Sequence, residues 1–347
     1  MIYLDSCSKE ELKDMVGQLG WPAFRGKQIY QWIFSKSILD ISEMTNLSKE
    51  MRQNLTENCQ LSSLKVAQKQ VSRQENTVKW LLKLEDGAMI EMVLMRQYYG
   101  NSLCISTQAG CAMGCSFCAS TLNGLERNLT AGELWGQIRI AEKELLSEGK
   151  KLDNLVLMGT GEPLQNLTEV IKFLKNLHDP DGFDFSYRRV TLSTCGLVDG
   201  IQKLMEEEIP INLAISLHAS TNEVRDQIMP VNQKFRIEEL IEIARKYANK
   251  TGRRITYEYL LIDGLNDRPE DAQKLVQLVR GQLASVNLIP YNPVEEKNFQ
   301  RSKPEAIKAF ALILETNHIT VSIRKEMGKD IDAACGQLRF NSTKKEE

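Results

Sequence analysis

From residue 103 onward the chain alternates short β-branched runs with longer amphipathic ones, six times in succession. The expected strands are 103–107, 154–158, 189–194, 212–217, 255–262 and 286–289. The expected helices are 131–146, 167–177, 197–207, 237–248, 269–280 and 304–315, with a last strand at 318–323. Strands that each feed a crossover helix must lie parallel, with the helices covering the sheet. No helical run marks a reversal of strand order. The pattern therefore favours an α/β fold, an open partial (βα)6 TIM-like barrel, over a doubly wound sheet. In βα barrels functional groups collect at the C-terminal ends of the strands. Five chemically loaded segments fall there: Cys104 to Cys118, Gly159-Thr160-Gly161-Glu162-Pro163, Ser193-Thr194, Ser216-Leu217-His218 and Pro290-Tyr291-Asn292-Pro293.

Within the first of these, Cys111, Cys115 and Cys118 read as CxxxCxxC. Soft sulfur selects zinc or iron–sulfur. A structural zinc site is closed by four ligands, and ferredoxin-type clusters also take four thiolates. No fourth cysteine follows at a suitable spacing. Three thiolates would leave one iron of a [4Fe–4S] cluster open to a small ligand. A zinc knuckle with a distant fourth ligand, and chance, remain as alternatives. The pattern resembles the signature of the radical SAM superfamily. That resemblance implies S-adenosylmethionine chelating the open iron through its amino and carboxylate groups.

The chain has 347 residues, 42 % hydrophobic and 26 % charged, enough for one large domain and a smaller one. It contains no apolar run of about 18 residues, and acids occupy the N-terminus where a signal peptide would be basic and then apolar. Eight cysteines, three of them packed into eight residues, suit metal ligands or catalytic thiols in a reducing compartment. The expectation is a cytoplasmic protein without membrane contact. A net charge of −2 gives no support for a nucleic-acid partner, though one basic face stays open.

Residues 1–62 read as a small helical domain. Ser8-Lys9-Glu10-Glu11 is a capping box, and Gly20-Trp21-Pro22 breaks the first helix. Phe24, Ile29, Trp32, Ile33 and Phe34 give the second helix an apolar face; Leu47, Met51 and Leu55 do so for the third. Residues 63–96 read as a β-hairpin extension turning at Glu85-Asp86-Gly87. The core spans 97–338, and 339–347 is a polar tail without a packing pattern. Thr130-Ala131-Gly132-Glu133 reads as a structural capping box.

Singly, the remaining motifs have plain readings. Gly159 to Glu162 suits a tight turn, His218 a satisfied strand-end residue, Glu91 an exposed strand acid, and Cys195 a packing residue. Ser193, Ser216 and Asn292 offer hydroxyl and amide groups suited to ribose, carboxylate or adenine edges. Near the end, Glu326 to Leu338 places Cys335 in the run Asp-Ile-Asp-Ala-Ala-Cys-Gly-Gln-Leu. That run, with Leu103-Cys104-Ile105-Ser106-Thr107-Gln108 and Arg127-Asn128-Leu129-Thr130, resembles the RlmN/Cfr family of radical SAM RNA methyltransferases, from about Lys79 to Leu338. The likeness is to the type that methylates adenine carbon 2 in 23S rRNA and tRNA; the type that methylates carbon 8 shares the cysteine set.

The resemblance implies a three-cysteine [4Fe–4S] cluster on Cys111, Cys115 and Cys118 and two S-adenosylmethionine molecules per turnover. One methylates Cys335. The other yields a 5′-deoxyadenosyl radical that takes a hydrogen atom from the S-methyl group, and the methylene radical adds to adenine. Cys104 then closes a transient disulfide with Cys335, and Glu91 accepts the proton from carbon 2. Gly161, Glu162, Ser193, Ser216, Leu217, His218 and Asn292 are the implied S-adenosylmethionine contacts. Thr160 replaces a larger apolar residue common in the family, with little effect expected. The target base must leave its stack, and residues 1–62 with the hairpin are the expected extra surface for RNA. A low-potential reductant such as flavodoxin and a monomeric state complete the expectation.

Overall fold

The computed structural model describes residues 1–325, 327–333 and 336–338. Cys335 and the tail 339–347 lie outside them. The N-terminal part opens with β1 (Ile2–Tyr3), followed by α1 (Lys9–Gln18), α2 (Phe24–Phe34), α3 (Lys49–Asn58) and β2 (Cys59–Gln60), which pairs parallel with β1. The Ser8 hydroxyl accepts the Glu11 N–H at 3.1 Å and the Glu11 carboxylate accepts the Ser8 N–H at 2.6 Å, so the capping box forms as read. Ile29, Ile33 and Phe34 are buried, but Phe24, at the first position of α2, is 54 % exposed. Leu47 is buried from the loop ahead of α3, not from the helix.

A three-stranded antiparallel meander follows, β3 (Lys65–Val71), β4 (Thr77–Lys83) and β5 (Met89–Gln97), and β5 pairs with β6 (Gly100–Cys104). The hairpin read from the sequence is β4–β5; β3 enlarges it. β6 ends three residues earlier than the sequence suggests. Beyond Cys104 the Gln137 side chain takes over the ladder, accepting from Ser106 N–H at 3.0 Å and donating to Ser106 C=O at 2.9 Å. A short ribbon of β7 (Gln108–Gly110) and β8 (Leu125–Asn128) then brackets the cysteine loop. It gave no sequence signal, being only a few residues long on either side.

The core continues through α4 (Ala131–Ser147), β9 (Asn154–Leu157), α5 (Leu167–His178), β10 (Val190–Thr194), α6 (Val198–Glu206) and β11 (Asn212–Ser216). After β11 come α7 (Asn222–Ile228), α8 (Ile237–Thr251), β12 (Ile255–Leu261), α9 (Pro269–Val279), β13 (Ala284–Pro290), α10 (Pro304–Thr316) and β14 (Thr320–Ile323). Only α7 was not anticipated. It is short and polar, and of its residues only Arg225 and Ile228 are buried.

The large sheet runs β14-β13-β12-β11-β10-β9-β6-β5-β4-β3. Every junction from β6 to β14 is parallel, and the order never reverses. A doubly wound sheet requires a reversal, so this is the open partial barrel. Its two edges, β14 and β3, do not pair among the described residues. α1–α3 share one contiguous core with α4, where Tyr30, Phe34, Trp135 and Phe183 form a chain of ring contacts at 4.6, 5.2 and 5.3 Å. Among the described residues no helix is long and apolar enough to cross a membrane.

Candidate functional site

Parallel strands that share a direction present their C-terminal ends on one rim. There a cleft enclosing about 980 Å³, mouth included, gathers residues from each strand end. Cys111, Cys115 and Cys118 form one wall; Gly161 and Glu162 follow β9; Ser193 lies near the end of β10 and Cys195 just after it; Ser216 ends β11 and His218 follows; Asn292 follows β13.

The cysteine loop is held at several points. The Cys111 N–H donates to Gly124 C=O at 2.9 Å, and Gly110 (φ +73°) has no room for a side chain, since a Cβ would lie 2.0 Å from that same oxygen. Ser116 N–H donates to Ile228 C=O, and the Thr121 hydroxyl donates to the Cys118 carbonyl at 3.0 Å. Burial pushes the Cys111 thiol up to about 11 and the Cys115 thiol further still, and each is raised again by its cysteine neighbours. Among the described residues no three cysteine, histidine or carboxylate groups converge as the ligands of a single metal ion do. These thiols share one wall and stand near enough to feel one another's charge. That donor set fits an iron–sulfur cluster, whose irons deprotonate the thiols they bind and hold each on a different metal.

The opposite wall is shaped by backbone. A Cβ on Gly161 (φ +108°) would lie 2.6 Å from the Gln108 side chain, so the chain passes there only as glycine. Glu162 is buried, and burial raises its pKa; its two oxygens accept from Leu164 N–H at 3.0 Å and Cys195 N–H at 2.7 Å. His218 (φ +56°) accepts the Leu260 N–H on Nδ1 at 3.0 Å and stands edge-on to Phe117. Burial, then the nearby Arg225, lowers its pKa to about 3, so the ring is neutral and its Nε2–H is a fixed donor.

Other expected residues lie elsewhere. Leu217 is fully buried in the main core and does not line the cleft; its neighbours in the chain do. Cys104, at the end of β6, packs with Val93, Leu338 and Ala333 beside the cleft. Glu91 is not the exposed acid that strand alternation gives. It is 5 % exposed, 3.2 Å from the Lys79 ammonium, and lines a second, smaller cavity with Thr160, Ser120 and Leu338. Ser120 borders both cavities.

Several cleft residues were missed. Cys195, read as packing, is buried and also lines the cleft. Glu258 is buried within β12 and accepts from Asn287 Nδ2 at 2.8 Å; an acid in the middle of an apolar parallel strand was the signal that could have found it. Arg225, wholly buried behind the cleft, donates to the carbonyls of Cys195 at 2.6 Å and Leu217 at 3.1 Å. Its helix was not foreseen, so neither was its role.

Comparison with known proteins meets this geometry from outside. Residues 2–61 match the family model of the ribosomal RNA large subunit methyltransferase N-terminal domain, and residues 105–278 match that of the radical SAM superfamily. The chain is 49 % identical over 343 residues to a probable dual-specificity RNA methyltransferase RlmN of Symbiobacterium thermophilum, covering 99 % of this chain and 92 % of that one. A protein of the same description from Alkaliphilus metalliredigens is 48 % identical, with 96 % and 94 % covered. The crystal structure of a radical SAM methyltransferase from Sphaerobacter thermophilus superposes with a TM-score of 0.93 at 40 % identity, covering 98 % of this chain and 99 % of that one. Rim geometry, N-terminal domain and whole-chain similarity agree, and the chain belongs to the RlmN family of radical SAM RNA methyltransferases.

Proposed function

We propose that this protein methylates carbon 2 of adenosine in 23S rRNA, at the peptidyl transferase centre, and of the adenosine 3′ to the anticodon in tRNA. The carrying observation is the division of labour around the rim. One cleft holds three thiols facing Gly161, Glu162, Ser193, Ser216, His218 and Asn292. Beside it Cys104 packs against Ala333 and Leu338, described residues on either side of Cys335 in sequence. The RNA targets are supported by the relatives, which are described as dual-specificity RNA methyltransferases.

In this reading Cys111, Cys115 and Cys118 hold a [4Fe–4S] cluster, and the facing wall holds S-adenosylmethionine. When bound, the two supply a one-electron reductant, a 5′-deoxyadenosyl radical and, from a second S-adenosylmethionine, a methyl group. The chain's own residues do the rest. Carbon 2 of adenine is electrophilic and gives ordinary methyl transfer no nucleophile, so Cys335 carries the methyl carbon to it. Glu91 accepts the proton released at carbon 2. Once the unpaired electron of the adduct has left to a one-electron acceptor, Cys104 sulfur attacks Cys335 sulfur, closing a disulfide as the sulfur–carbon bond breaks; its electron pair goes to carbon, which takes up a proton to become the methyl group. Residues 1–62 and 63–96 add RNA-facing surface to the core 97–338, and a low-potential cytoplasmic reductant such as flavodoxin feeds the cluster.

The test is anaerobic reconstitution with unmodified 23S rRNA and tRNA, then mass spectrometry of the digests against 2- and 8-methyladenosine standards. The expected product is 2-methyladenosine in both RNAs, absent from Cys335→Ala and Cys104→Ala variants that retain their clusters. A product of 8-methyladenosine, a colourless protein that takes up zinc instead of iron, or full-rate methylation by either cysteine variant would overturn the reading.

A further inference from the structure

Strand β4 carries a lysine on a buried face. Lys79 is 7 % exposed, and a lysine is rarely that deep without a partner. It has two. Its ammonium lies 3.2 Å from a Glu91 oxygen and donates to the Asp332 carbonyl at 3.2 Å. Lys79 faces Val93 across the β4–β5 ladder and Leu81 faces Glu91, so the pair is the diagonal cross-strand kind, on one face of the meander. Asp332 belongs to the segment that leads to Cys335.

That segment is tied down at both ends. Gly328 N–H donates to Glu75 at 2.6 Å, and Asp330 accepts from the Ser72 hydroxyl at 2.7 Å and Arg73 N–H at 2.9 Å. Beyond Cys335, Ala119 N–H donates to Gly336 C=O at 2.8 Å and the Ser120 hydroxyl to Leu338 C=O at 2.8 Å. The earlier ties all reach the β3–β4 turn. Lys79 alone among them also touches a carboxylate that the proposed reaction uses, and it holds the segment three residues before Cys335. A buried ion pair is weak evidence of stabilisation for its own sake, whereas one ammonium bridging a carboxylate and a distant carbonyl fixes both in a single geometry.

We propose that Lys79 is a positioning residue. It sets the Glu91 carboxylate and the Asp332 carbonyl together, so that the proton acceptor is aligned only when the Cys335 segment is docked. This rests on the assignment of Glu91 above. In the step concerned the proton on adenine carbon 2 moves to a Glu91 oxygen, the carbon–hydrogen electron pair stays with the ring, and the unpaired electron left by radical addition passes to a one-electron acceptor, the class of group the proposed function already invokes. Without Lys79, radical formation proceeds but the RNA stays joined to the protein.

The experiment uses the full-length reconstituted enzyme in single turnover with RNA, as wild type, Lys79→Gln, Lys79→Arg and Glu91→Gln. 5′-Deoxyadenosine is measured alongside covalent protein–RNA adduct on denaturing gels. Lys79→Gln is expected to form 5′-deoxyadenosine at the wild-type rate and to clear the adduct slower by about tenfold or more, while Lys79→Arg restores clearance. Hydrogen exchange of residues 327–333 in the RNA-free protein is expected to speed up in Lys79→Gln. Clearance by Lys79→Gln at the wild-type rate, equal losses in Lys79→Gln and Lys79→Arg, or failure of Lys79→Gln to fold would each overturn the proposal. Adduct in Glu91→Gln but not in Lys79→Gln removes the role of Lys79 alone. No adduct in Glu91→Gln removes the assignment of Glu91 on which it rests.

Discussion

Where α1–α3 meet α4, Asp5 is wholly buried beside Arg139; on the meander, Lys79 is buried beside Glu91. Both pairings set a cation against a carboxylate away from water, yet their surroundings differ. Asp5 accepts from Ser62 N–H and the Ser62 hydroxyl at about 2.9 Å, and Arg139 donates to the carbonyls of Ile38 and Ser62. Burial pushes Asp5 up and Arg139 down, each against the pull of the other across 3.5 Å. Around them a Cβ on Gly132 would lie 2.4 Å from the Ser62 hydroxyl. This is a closed joint. The Lys79–Glu91 pair instead borders a cavity and is capped by a separate segment of chain. The same chemistry serves to weld in one place and to position in the other.

The largest expected effect tests the weld. Arg139→Met strands the Asp5 carboxylate and should lower stability by about 3–5 kcal/mol in denaturant titration. Lys79→Gln should cost less, about 1–2 kcal/mol, because the glutamine amide still offers a donor to the groups Lys79 holds, whereas Arg139→Met offers none; an equal loss at both sites would erase the contrast. The smallest effect belongs to the rim of the same joint, where Lys27 and Lys9 hold Asp181 down to about 2. A carboxylate held below its unfolded value stabilises the fold above that value, and the contribution fades as pH falls through about 4 towards 2. Wild type and Asp181→Asn should therefore differ slightly in denaturant midpoint at pH 6, and the difference should narrow from about pH 4 downward and vanish only below pH 2.

Much of the rim was legible because each motif ends a strand of a regular βα series, and strand ends are where such a series gathers its chemistry. Cys111, Gly161, Ser193, Ser216 and Asn292 reach one cleft for that reason. The Leu217 side chain stands apart from its neighbours because successive residues of an extended chain point to opposite faces: Ser216 borders the cleft while Leu217 fills the core. Glu91 looked exposed because alternation assumes one face of the meander meets water. There the covering element comes from residues far along the chain, which no local pattern announces. Arg225 escaped notice for a similar reason. Its carbonyl partners belong to Cys195 and Leu217, at the ends of two different strands.

The unbroken strand order has a consequence for how this molecule assembles. Each parallel strand docks on one laid down about a helix earlier, so most of the rim grows through short loops, the cheap kind of closure. The ties from Gly328 and Asp330 to the β3–β4 turn bridge more than 250 residues of sequence. Carrying the longest closure, that latch should be the last piece to seat during folding and the first to lift under native conditions. The reactive geometry around it would then come and go while the barrel beneath stays intact.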